Sequence, residues 1–98
     1  MRYRKKPIIV DAFRMTEERG KSESEWPSWL KEAYARLPTE PGTVWLAPIA
    51  FSSTKRFRVC LKNRHVHIVE WGDWIIRKSR SDLYVLTDRD FKDDYTQA

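Results

Sequence analysis

The chain has 98 residues, 41% apolar and 13% aromatic, with a formal net charge of +5. That fits one domain (residues 1–98) with a single modest core; disorder, a separate cofactor domain and an acidic DNA mimic are excluded. No apolar run approaches the roughly 18 residues of a membrane span, and the lone Cys60 forbids an intramolecular disulfide, so a soluble cytoplasmic protein is expected.

The chain opens basic, with Arg2, Arg4, Lys5 and Lys6, and "PIIVDAFRM" then reads as a strand with apolar residues on both faces. Its apolar part is too short for a secretory signal, and "TEERGKSES" follows as a polar loop. In "SESEWPSWLKEAYARLP", Trp26, Trp29, Leu30, Ala33, Tyr34 and Leu37 recur at the helical period. This predicts a helix capped near Ser24, with Pro27 in its first turn and Pro38 closing it.

"TVWLAPI" reads as a strand that Pro48 ends or places at an edge. In "KRFRVCLKNRHVHIVEW", apolar alternation predicts a hairpin turning at Asn63-Arg64. Leu61 then opposes Val66 and Val59 opposes Ile68, and Cys60 faces His67 on the other side. Gly72-Asp73 marks a turn or bulge before "WIIR", a central strand beside which "LYVL" pairs. Thr87, with Asp90 three residues on, caps a short terminal helix pinned by Phe91 and Tyr95. The order implies an α+β domain, one amphipathic helix packed on a small, mostly antiparallel sheet. Its expected core is Ile8, Val10, Trp29, Leu30, Val59, Ile68, Ile75, Ile76, Leu83, Val85 and Phe91.

Catalytic and metal-binding patterns are hard to assemble. Cys60, His65 and His67 lack zinc-site spacing, and a Cys60–His67 pair has no orienting third group. Gly20, Gly42 and Gly72 are too scattered for a phosphate loop, and Asp88, Asp90, Asp93 and Asp94 read as helix-start charge. No enzyme, cofactor or metal is expected.

One surface stands out. In the hairpin register above, Arg56, Arg58, His65, His67 and Trp71 share a face, and Lys62 and Arg64 extend it. Cations interleaved with aromatics suit single-stranded nucleic acid, the cations meeting phosphates and the rings stacking on bases. The alternative is a solvated strand face carrying charge for solubility.

Both ends resemble a family of small phage and prophage proteins. The likeness lies in "MRYRKKPIIVDAFRM", the Trp-bearing "WPSWL", and the closing "GDWIIR", "DLYVL" and "DRDFKDDY". The chain departs from that pattern at Ser81, where glycine is usual, and at "VLT", where a Cys-Lys-Pro type stretch is common. The resemblance implies phage origin, a compact α+β fold and no catalytic residue set. By analogy it implies a non-enzymatic accessory protein of the host bacterium's cytoplasm, binding a host or phage protein and acting as an inhibitor of a host or defence component. Nucleic-acid binding through the basic face is the alternative, with no membrane partner; a homodimer is left open.

Overall fold

The computed structural model describes residues 10–37, 40–49 and 54–95. Six strands and three α-helices follow in the order β1 (Asp11–Arg14), α1 (Glu17–Gly20), α2 (Ser28–Tyr34), β2 (Val44–Pro48), β3 (Lys55–Cys60), β4 (Val66–Val69), β5 (Trp74–Ser79), β6 (Asp82–Leu86) and α3 (Asp88–Asp94), with a 3-10 turn at Glu23–Glu25 before α2. The α+β class stands, and the strands divide into two antiparallel three-stranded sheets, β1-β5-β6 and β2-β3-β4. As expected, β5 is central with β6 beside it, and Pro48 ends an edge strand.

The alternation of each strand builds the core between the sheets. Phe13, Ile75, Leu83 and Val85 from one meet Val44, Phe57, Val59 and Val69 from the other, with β6 lying against β3 and β4. Met15, Trp26, Leu30 and Ala33 complete this cluster. Each fully buried valine, leucine, isoleucine, phenylalanine or methionine among them contributes roughly 1.5–3 kcal/mol. Of the expected core, Leu30, Val59, Ile75, Ile76, Leu83 and Val85 are buried, and Val10, Trp29 and Phe91 are half-buried. Ile8 lies outside the described residues.

Two local expectations are corrected. The segment "TEERG" is not a loop: Thr16 accepts from the Arg19 N–H at 3.3 Å and caps the single turn of α1. The expected long helix is split, because a residue before proline is disfavoured in the helical region. Trp26 accordingly sits at ψ 135° and Pro27 is the N-cap of α2. Residues Glu23–Glu25 form their own turn, capped by Ser22 rather than Ser24. The helix also ends before Leu37, which is exposed, as is much of Tyr34. Trp26 still reaches the core, its indole N–H donating to the Arg19 carbonyl at 2.8 Å.

"WGDW" is scaffold. Glu70 to Asp73 is a turn closed by the Asp73 N–H on the Glu70 carbonyl (3.0 Å), with Gly72 at φ 101°. It carries the chain from one sheet to the other and is tied to β1 by Gly72 N–H on the Met15 carbonyl (2.7 Å). At the other end Gly42 (φ 87°) lets the tip of the β5–β6 hairpin approach, and Arg36 donates to the Arg80 carbonyl at 2.8 Å.

The back of the first sheet has its own small core. Ile76 is buried there, Trp74 stacks on Phe91, and Phe91 stacks on Tyr95, whose hydroxyl meets that of Tyr84. Burial, and next the Tyr95 hydroxyl, hold the Tyr84 phenol above the ordinary tyrosine range.

Candidate binding face

Register decides what the β3–β4 hairpin displays. Phe57 pairs with Val69, Arg58 with Ile68, Val59 with His67 and Cys60 with Val66, one residue away from the expected pairing. The cause is the turn. Leu61 accepts from Arg64 N–H and donates to the His65 carbonyl, both at 2.8 Å, and Arg64 takes φ 69°. This is a three-residue loop whose last residue is left-handed, in place of a two-residue turn at Asn63-Arg64.

A one-residue slip exchanges the faces of a strand. Val69 is therefore buried, whereas Ile68, expected in the core, is 37% exposed and Val66 50% exposed. The slip also separates the expected site residues. His65 and His67 are exposed and carry the parity of Phe57 and Val59, away from Arg56 and Arg58. Cys60 is buried opposite Val66, so no Cys60–His67 pair forms. Lys62 and Arg64 occupy the exposed turn.

Arg56 and Trp71 do meet. The Arg56 guanidinium lies 5.0 Å from the Trp71 ring centroid, and its Nε is 3.3 Å from a Glu70 carboxylate oxygen. Trp71 packs edge-on against Phe57, so it is a half-buried part of the wall, with one face given to an arginine. Arg58 donates to the Pro48 carbonyl at 3.2 Å.

Three side chains absent from the sequence-based site join Arg58. Register sets Trp45, Arg58 and Ile68 in one row across β2, β3 and β4, flanked by Ala47, Arg56 and Glu70 on one side and by Val66 on the other. This outer face mixes an indole, two aliphatic β-branched residues and two arginines. Arg56 is ion-paired with Glu70, and Arg58 is hydrogen-bonded to the Pro48 carbonyl with its buried Nε unpartnered among the described residues. The signal that could have found it lies at Asn63-Arg64. A type I′ two-residue turn needs φ > 0 at both positions and favours glycine second, a type II′ turn wants glycine first, and this chain has glycine at neither. Among the described residues no three His, Cys, Asp or Glu side chains converge as metal ligands, and no helix is long and apolar enough to cross a membrane. Comparison with models of known families, with curated proteins and with solved structures finds no match.

Proposed function

We propose that this protein acts by binding rather than by catalysis, and that the outer face of β2–β3–β4 docks a protein partner. The observation that carries this reading is the Trp45–Arg58–Ile68 row on an incompletely covered sheet. Tryptophan and arginine are the residues most enriched where protein interfaces concentrate their energy, and exposed β-branched neighbours supply apolar area around them. A nucleic-acid track instead needs cations free to displace counterions from phosphates. Here Arg56 is paired with Glu70, and Arg58, which has no carboxylate partner among the described residues, is held by the Pro48 carbonyl. The resemblance of both chain ends to small phage and prophage proteins supports a bacterial host or defence protein as the partner, with inhibition as the outcome.

Affinity capture from a bacterial lysate tests the reading. Wild-type protein should retain one protein in stoichiometric amount, and Trp45→Ala and Arg58→Ala should each release it while melting like wild type. Two results would overturn this. One is capture of nucleic acid, with affinity falling by a log–log slope of about −0.7 per contact against salt and unaffected by Trp45→Ala. The other is turnover of a small substrate with no partner retained.

A further inference from the structure

The outer side of β4 is a second exposed feature of the fold, one defined by backbone. β4 is an edge strand, and among the described residues nothing pairs with its outer side. Backbone groups alternate in direction along an antiparallel strand. The Leu61 N–H bond to the His65 carbonyl fixes the phase, so His67 and Val69, like the His65 carbonyl, turn to β3, while the His65 N–H donates to Asn63 Oδ1 at 3.0 Å. Val66 and Ile68 therefore turn theirs to the open edge. Glu70, next in that series, is already engaged: its N–H donates to Asp73 Oδ2 at 3.0 Å and its carbonyl accepts from Asp73 N–H at 3.0 Å.

Exposed edges of this kind are usually blunted by lysine, proline or a bulge. β4 is short, at four residues, and the left-handed Arg64 bulges the chain just before it, but Val-His-Ile-Val itself carries no lysine, proline or bulge. We propose that it pairs antiparallel with β4 of a second copy of this chain, Val66 opposite the partner subunit's Ile68, about a two-fold axis at His67.

Three features select that register. The phase requires Val66 and Ile68 to form the hydrogen-bonded pairs, which the two-fold arrangement satisfies twice, using every free donor and acceptor between them. Val66 and Ile68 lie on the same outer face, so each exposed aliphatic side chain meets another across the new ladder. Just beyond the ladder, the exposed turn residue Arg64 comes near the partner's Glu70, whose carboxylate already holds Arg56 of its own chain at 3.3 Å and takes Arg64 as a second cation, at both ends. A shift of one residue breaks the phase, and a shift of two loses the Arg64 match. The product is a continuous six-stranded sheet, from three strands in each copy, whose outer face carries two Trp45–Arg58–Ile68 rows.

Self-association stands apart from the docking reading, because it is read on purified protein alone. Sedimentation velocity over a concentration series should show a reversible monomer–dimer equilibrium for wild type. Ile68→Lys should leave only monomer, since it sets a charge beside the apolar pair. Its backbone groups face the open edge, so the β3 ladder bonds stay, but the new cation lies opposite Arg58 and a melt must show the variant folded. Arg64→Glu and Glu70→Arg should each weaken the dimer by roughly tenfold, because each makes both symmetry-related contacts repulsive. Glu70→Arg also sets a cation beside Arg56 of its own chain, so its melt is compared with wild type first. Mixed one to one, those two variants should associate nearly as well as wild type, since each then supplies the charge that the other lacks. Wild type that stays monomeric throughout would overturn the proposal. So would a dimer that survives Ile68→Lys, or a mixture that associates no better than its components.

Discussion

Trp74 on β5 and Phe91 on α3 stack face to face, with centroids 3.9 Å apart and planes 9° from parallel. This contact, extended by Tyr95, closes the last helix over Ile76. A seven-residue helix is too short to hold itself in water, so its stability comes from that docking. Phe91→Ala should therefore cost about 2–4 kcal/mol in urea melts and release α3, seen as lost near-ultraviolet aromatic dichroism. Unchanged dichroism would mean that α3 is held by something other than the stack.

Asp88 ties the same helix down electrostatically. The Trp74 indole N–H donates to its Oδ1 at 2.9 Å, and the Lys92 ammonium sits 3.0 Å from Oδ2. Chiefly the indole, then Lys92, with Arg14 adding to them, hold the carboxyl below the usual carboxylate range. A carboxyl depressed in the fold stabilises it fully above the unfolded value of roughly 3.9 and loses that contribution as pH falls through the folded value. Asp88→Asn should therefore be less stable than wild type at neutral pH, and the gap should close below about pH 4. Melts at a series of pH values check this, and a gap constant down to pH 2 would refute it.

Gly42 is required by geometry. A Cβ there would lie 2.3 Å from the Arg80 carbonyl oxygen, and φ is 87°. Neither can relax independently, because Arg36 holds that carbonyl and the Glu40–Thr43 turn holds the backbone. Gly42→Ala should cost about 2–4 kcal/mol in equilibrium melts, combining left-handed strain with overpacking. A cost below about half a kcal/mol would show that the hairpin tip does not rest there.

Much of this architecture is written locally. Alternation in "WIIR" and "LYVL" and the Thr87 cap need only neighbouring residues, and they appear where the sequence implies them. What escapes the sequence depends on single backbone choices with distant effects. Pro27 turns one apparent helix into a 3-10 turn and a shorter α-helix. Arg64 in the left-handed region lengthens a turn by one residue, and every side chain of β4 changes face. Apolar alternation could not settle that register, because "VHIV" offers a branched aliphatic residue to either side. The candidate face was legible only in part for the same reason: Arg56 and Arg58 were visible, while Trp45, Val66 and Ile68 joined them only through the register.

The register can be tested by energy alone. Ile68 is the larger side chain, so burial in either position would make its truncation at least as costly as that of Val69. With Val69 fully buried beside Phe57 and Ile68 37% exposed on the outer face, the order should invert. Val69→Ala should cost about 2 kcal/mol, from lost transfer energy and the cavity left behind, and Ile68→Ala less than about 1 kcal/mol. Urea melts should be run dilute enough to keep the chain monomeric, so that β4 edge pairing does not add to the Ile68 value. If Ile68→Ala proves the costlier change, the hairpin pairs Val59 with Ile68 instead, and the Trp45–Arg58–Ile68 row dissolves with that register.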